Sequence, residues 1–322
     1  MISWRGVYPI LAASILFAST RPLLAEPVDE ARNLLAQMSA AVRAANYQGS
    51  FIYEHNSRIG ALRIFHAGGR DERERLVSMS GVRSEVVRDG GTITCLQSGV
   101  PTVLLPNRIA AHLLPLVPDV SGQSFATLYA LRVGKEDRVA GYRARIVEIT
   151  PRDTYRYGYR LWLEDATHLP LRSAVVDATQ RSLEQFMFVA LDIGAKPKES
   201  DLVASGDTGM MAMPAETALA GALKWRVADA PPGFVFLRAQ RPAQGPSGAE
   251  HLMYSDGLAN ISVYIEPHDA KAAGAPDRAT ARGVLSVYSH DMGAWKVTVL
   301  GDVPRVTVER MARSVQAVAA MP

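Results

Sequence analysis

Cysteine is nearly absent. Cys95 is the single one in 322 residues, so no disulfide can form within the chain and its core alone must hold the fold. It stands in Ile93-Thr94-Cys95-Leu96, a setting that reads as a buried small hydrophobe; pairing with a second molecule is the alternative. Long apolar runs are missing beyond the first twenty-five residues, so no later stretch reaches the roughly 20 residues that a membrane-crossing helix needs. An excess of one charge is missing as well. Thirty-five Lys and Arg face 32 Asp and Glu, and without Arg5 and Arg21 the balance is 33 against 32. No basic block suits a polyanion, which excludes nucleic acid as a partner.

Catalytic and metal-binding motifs are missing too. The seven histidines are scattered, no His-Glu-x-x-His unit occurs, and the lone cysteine has no companion, so neither a metal nor a cofactor is expected. His55 and His66 fall on strands and read as hydrogen-bonded residues. Gly122-Gln123-Ser124-Phe125-Ala126 lacks the last glycine of a nucleophile elbow. No Ser-x-x-Lys pair, phosphate-binding loop or Gly-x-Gly-x-x-Gly is present. Glu164 and Asp165 are neighbours, which on a strand point to opposite faces and cannot share a substrate. The chain is not expected to be an enzyme.

What is present begins with a leader. Arg5, the apolar run Val7 to Ala18, and Leu23-Leu24-Ala25 before Glu26 have the order of a secretory signal over residues 1–25. An uncleaved anchor is the alternative, and the break at Arg21-Pro22 argues against it. The expected destination is an oxidising compartment outside the cytoplasm. About 297 residues remain, enough for two domains.

The longest alternating patterns lie between Tyr142 and Ile193. Tyr155, Tyr157, Tyr159, Leu161 and Leu163 fall on one side of a strand, and Arg156, Gly158, Arg160, Trp162 and Glu164 on the other. Leu183 to Ile193 is apolar on both sides, with Met187, Val189 and Leu191 opposite Phe186 and Phe188. Polar turns at 164–170 and 177–182 complete an antiparallel meander of three strands. Upstream, strands are expected over 47–55, 61–67, 73–79, 84–88 and 92–97. The run 101–124 reads as a proline-broken loop and 124–131 as a short helix. Before all of these, Val28 to Ala45 repeats apolar residues at helical spacing, and Asn46 ends it through its tolerance of left-handed φ.

Residues 196–218 are polar and small, a linker. From 219 to 322 about four or five strands precede a terminal helix through Val308, Met311, Ala312, Val315 and Val318, with Asp302 as N-cap and Pro304 in the first turn. The fold class is therefore α+β: a curved antiparallel sheet with a packed helix over 26–195, and a smaller α+β domain over 219–322.

Tyr157-Gly158-Tyr159-Arg160-Leu161-Trp162-Leu163, Leu169-Pro170-Leu171-Arg172 and Leu183-Glu184-Gln185-Phe186 resemble the RseB/MucB family, as do Tyr47-Gln48-Gly49-Ser50-Phe51, Ile64-Phe65-His66 and Arg83-Ser84-Glu85-Val86-Val87-Arg88 in the same order. The resemblance spans roughly 30 to 320. It implies a half-barrel like that of periplasmic lipoprotein carriers, with a helix in its mouth. It also implies a regulator that grips the periplasmic segment of a membrane anti-sigma factor, shields it from site-1 proteolysis and releases it on binding lipid or lipopolysaccharide. A lipid or lipoprotein carrier is the rival reading, and a homo-oligomer is compatible with either. By alternation, Ile52, Leu62, Ile64, Phe186 and Phe188 are the candidates for an acyl-chain wall. Tyr157, Arg160 and Trp162 are the candidates for partner contact. Which face is concave stays open at this stage.

Overall fold

The computed structural model describes residues 27–90, 92–97, 123–205, 210–211, 217–218, 222–242, 246–268 and 276–318. The leader 1–25, residues 101–122 of the proline-broken run and residues 206–209 and 212–216 of the linker lie outside them.

Helix α1, Pro27–Ala44, buries Ala31, Leu35, Met38 and Val42 almost completely. These recur at three- and four-residue steps, so one stripe faces the sheet; full burial is worth about 1.5–3 kcal/mol for each of the larger three. Asp29 and Glu30 in the first turn and Arg43 in the last suit the helix dipole. Asn46 is not in the left-handed region. Instead its Oδ1 accepts the Gly68 N–H at 3.1 Å, and its carbonyl accepts the Gly194 N–H at 2.7 Å, so the helix end is tied by hydrogen bonds.

Strands β1 (Tyr47–His55), β2 (Arg58–Ala67), β3 (Arg73–Ser78), β4 (Ser84–Asp89) and β5 (Thr92–Gln97) precede a short helix α2 (Gln123–Leu128). Then come β6 (Tyr129–Val139), β7 (Tyr142–Pro151), β8 (Gly158–Glu164), β9 (Pro170–Val176), β10 (Ser182–Ile193), helix α3 (Glu199–Leu202) and β11 (Met210–Met211). All eleven strands form one antiparallel sheet in the order β11-β5-β4-β3-β2-β1-β10-β9-β8-β7-β6. Its outer strands do not pair with each other, so the sheet is an open half-barrel. Side chains from α1, from β1 to β4 and from β6 to β10 meet in a single cluster, which is possible only if the sheet curves around the helix.

Two strands exceed the sequence reading. β9 lies between the two polar turns, where Pro170 opens it. β6 carries Arg132, Lys135, Glu136, Asp137 and Arg138 and is largely exposed over that half, so its pattern lacked the apolar alternation of a half-buried strand. In the other direction, the strand expected from Tyr155 starts only at Gly158; Tyr155, Arg156 and Tyr157 belong to the preceding turn.

The second domain has β12 (Thr217–Ala218), β13 (Trp225–Val227), β14 (Val235–Arg241), β15 (Glu250–Ser255), β16 (Asn260–Pro267), β17 (Arg278–Arg282), β18 (Leu285–Asp291) and β19 (Trp295–Gly301). Helix α4 (Arg305–Arg313) and β20 (Val315–Ala317) close it. Seven strands run in the order β12-β14-β15-β16-β19-β18-β17, and β13 pairs with β20 apart from them. The helix is shorter than its apolar repeat suggests. Pro304, not Asp302, is the N-cap, and Val315 belongs to β20, opposite Val227. Val308, Met311 and Ala312 join β15, β16 and β19 in the core.

Between the domains, the polar linker is partly docked. Arg73 clasps Glu199 through two hydrogen bonds of 2.7 Å, the Ser205 N–H reaches Glu85 Oε2 at 3.1 Å, and Leu202 is buried.

Candidate functional site

Register decides which candidates share a face. Directly paired residues of an antiparallel sheet stand on the same side. Phe51 pairs with Leu62 and with Phe188, and all three belong to the concave cluster with Ile64 and Phe186. Ile52 pairs with Ala61 and Met187, and Met187 packs on the convex side. Four of the five acyl-wall candidates are thus brought together, and Ile52 is not among them. Phe51 takes the place expected of its neighbour. Its ring meets Phe186 and Phe188 edge-on at 5.9 and 5.6 Å, and those two meet each other at 5.9 Å. The signal was in the sequence: Tyr47, Gly49, Phe51 and Tyr53 alternate. The expected alternation of Val189 with Met187 and Leu191 fails because a bulge shifts the register between Ser50 and Phe51 and leaves Val189 exposed.

This wall is covered. Ile64 and Phe188 are 0% and 1% exposed and share their cluster with Leu35, Met38 and Val42 of α1. Lipid could reach them only by displacing part of that packing.

Of the partner candidates, Arg160 and Trp162 lie on the convex face and Tyr157 does not. Trp162 is nearly buried among Val139, Ala144, Leu171, Ala174 and Val176. Its Nε1–H donates to Asp137 at 2.8 Å, and the Arg172 guanidinium lies 4.2 Å over its ring. The Arg138 amide, first, and the Trp162 indole N–H hold the Asp137 carboxyl below its usual range. Arg160 reaches Gln180 at 3.1 Å and Glu148 at 3.5 Å. Tyr157 packs toward the concave cluster, where burial pushes its phenol up. Cys95 is half-buried, with its thiol raised by burial.

The most elaborate polar constellation is one that sequence patterning missed. Arg156, in the turn before β8, is buried between the domains. It donates to Asp153 at 3.0 Å, to Asp256 at 2.7 Å and to the Pro232 carbonyl at 2.5 Å. Its guanidinium sits 5.0 Å from the Phe234 ring and 5.5 Å from that of Tyr129. Asp256 also accepts the Tyr129 hydroxyl at 2.7 Å and the amides of Leu258 and Ala259. Both side chains of the Arg156–Asp256 pair are fully buried. Burial first, and the Asp256 charge second, push the Tyr129 phenol far above its ordinary value. Around this pair, Thr307 donates to the Tyr155 carbonyl and Arg310 to the Tyr155 hydroxyl. Val284 and Leu258 pack on the first domain's core. Gly233 has φ +85°, and a Cβ there would stand 2.3 Å from Leu128, so only glycine permits that approach. The only hint in the sequence was a Ser-Asp-Gly turn and an arginine among tyrosines. Among the described residues no three His, Cys, Asp or Glu side chains converge as a metal site would require.

Comparison with known proteins covers both domains. The family model for the MucB/RseB N-terminal domain matches residues 30–205, and that for the MucB/RseB C-terminal domain matches 220–316. The sigma factor AlgU regulatory protein MucB of Pseudomonas aeruginosa is 35% identical over 312 residues, 95% of this chain and 97% of that one. The sigma-E factor regulatory protein RseB of Escherichia coli K12 is 26% identical over 314 residues, 95% and 96% of the two chains. The solved MucA/MucB complex of P. aeruginosa contains a chain that superposes with a TM-score of 0.74 at 36% identity, covering 90% of this chain and all of that one. A crystal structure of MucB superposes with a TM-score of 0.64 at 33% identity, over 90% and 98%.

Proposed function

The chain belongs to the MucB/RseB family, and from that premise we propose that it is a periplasmic regulator that binds the periplasmic segment of a membrane anti-sigma factor. The observation that carries this reading is the likeness, across both domains, to a MucB chain solved together with MucA. The two domains here meet over a buried ion pair, a seam built to hold one relative orientation. A carrier of lipid or lipoprotein needs only the half-barrel, so the second domain favours the regulator.

The bound anti-sigma segment would be shielded from the protease that starts its degradation. Release by lipid or lipopolysaccharide follows if the ligand prefers a conformation with lower affinity for the segment, since a ligand shifts an equilibrium only by its differential affinity. The concave wall would supply such a difference. Phe51, Leu62, Ile64, Phe186 and Phe188 are covered when α1 is seated, so acyl chains would stabilise a state in which this packing has loosened.

The test is a competition assay. Labelled MucA periplasmic domain, bound to the purified mature chain, is titrated with lipopolysaccharide while protease cleavage of the MucA segment is followed. Binding that protects the segment, and cleavage restored as lipopolysaccharide is added, is the expected result. No binding would overturn the regulator. Binding indifferent to lipopolysaccharide would overturn the release step.

A further inference from the structure

Strand β14 opens with Val235, Phe236 and Leu237, exposed by 58%, 43% and 53%. This is the one run of three consecutive exposed large hydrophobics among the described residues. On one side β14 pairs with β15. On the other, β12 pairs only with Gln240 and Arg241, and among the described residues no strand lies beside Val235 to Ala239. Open, apolar sheet edges are templates for an added strand and are normally blocked by charge, proline or a covering segment. Here the only charges are Arg238 and Arg241, both exposed and without a carboxylate partner among the described residues. The Arg238 Nε lies 3.1 Å from the Met253 sulfur. A bulge at Leu237 shifts the register, and Phe236 is braced edge-on against Tyr254 at 5.7 Å.

We propose that the β14 edge is a docking strand for an extended peptide that alternates apolar and acidic residues and adds to the second domain's sheet as a further β-strand. Resting on the reading above, the occupant is the periplasmic segment of the anti-sigma factor. Backbone hydrogen bonds along the edge supply the pairing, the apolar triplet takes alternate side chains, and the two guanidiniums take carboxylates. Charge decides against a second copy of this chain. Antiparallel self-pairing about Arg238 sets two guanidiniums opposite each other, and like charges directly opposed destabilise a sheet.

The experiment uses the mature full chain and labelled MucA periplasmic domain. Affinity is measured by anisotropy for the wild type, Leu237→Lys, the double variant Arg238→Glu/Arg241→Glu, and the control Ile59→Lys on a distant exposed hairpin. Amide hydrogen exchange is followed with and without MucA. The edge variants should bind about tenfold or more weakly with the control unchanged, and wild-type amides in 235–239 should gain protection on binding. Wild-type binding with unaltered exchange in β14 and full affinity in both edge variants would overturn the docking strand and leave the regulator standing. No wild-type binding would overturn both. A wild-type dimer that Leu237→Lys abolishes while MucA binding persists would assign the edge to self-association and so overturn the proposal.

Discussion

Phe51 and Ile52 are adjacent, both apolar and both on β1, yet only Phe51 faces the concave side. A strand turns successive side chains to opposite faces, so this difference decides what a substitution does. Phe51→Ala removes a ring held between Phe186 and Phe188 and should cost about 3–5 kcal/mol of stability. Ile52→Ala, on the half-buried outer face, should cost clearly less. Urea denaturation of the two variants checks this, and equal losses would mean that the faces have been assigned the wrong way round. Charges placed at Phe188 or Ile64 would unfold the first domain before they informed on lipid, because these side chains lie at 1% and 0% exposure. Trp162 is no more available to a partner. The Asp137 bond and the Arg172 cation already occupy its polar edge and its ring face.

Among the elements, α3 and the residues after it behave least like a linker. Glu85, on β4, holds them through the Ser205 hydroxyl and amide and is itself held by Arg75 at 3.0 Å. Burial pushes the Glu85 carboxyl up, but the Ser205 and Arg75 bonds outweigh it and the net shift is downward. A carboxyl with a lowered folded-state pKa stabilises above its unfolded value, about 4.3, and loses that contribution as pH falls through the lower folded value. Docking of 199–205 should therefore weaken only below about pH 4. Glu85→Gln should weaken it at neutral pH as well. Limited proteolysis checks this: cleavage within 199–205 should rise in the variant at pH 7 and stay slow in the wild type. Equal cleavage of both would show that Glu85 does not hold the segment.

For the molecule as a whole, the two domains meet at the buried Arg156–Asp256 pair. An interface between domains of one chain is ordinarily free to move unless it is large and apolar. This one carries a desolvated ion pair, and breaking such a pair by neutralising one partner costs about 3–5 kcal/mol because the other charge is left buried. Asp256→Asn keeps the side chain's shape, so the turn at Leu258 and Ala259 can survive. Opening of the seam would let Arg156 regain water, and the variant should have a larger maximum dimension in small-angle scattering, with each domain's circular dichroism unchanged. An unchanged scattering profile would show that the apolar contacts of Leu128, Val284 and Leu258 hold the domains without the pair.

Much of this was legible in one dimension. The buried stripe of α1, the meander and the likeness to a family all rest on local periodicity and on residue order, which the chain carries without knowledge of its partners. The concave cluster was legible in kind, since Phe186, Phe188, Leu62 and Ile64 are all there. What periodicity could not carry was anything that depended on which segments meet. The bulge that exposes Val189 exists only in the pairing of β1 with β10. The strand character of charged β6 comes from its neighbour β7, and the conversion of Val315 from helix to strand comes from Trp225–Val227. The seam is the extreme case. Arg156 and Asp256 are separated by a hundred positions and look solvated in isolation. Only the approach of two domains takes both out of water, and each buried charge then relies on the other because the solvent that would otherwise screen it is gone.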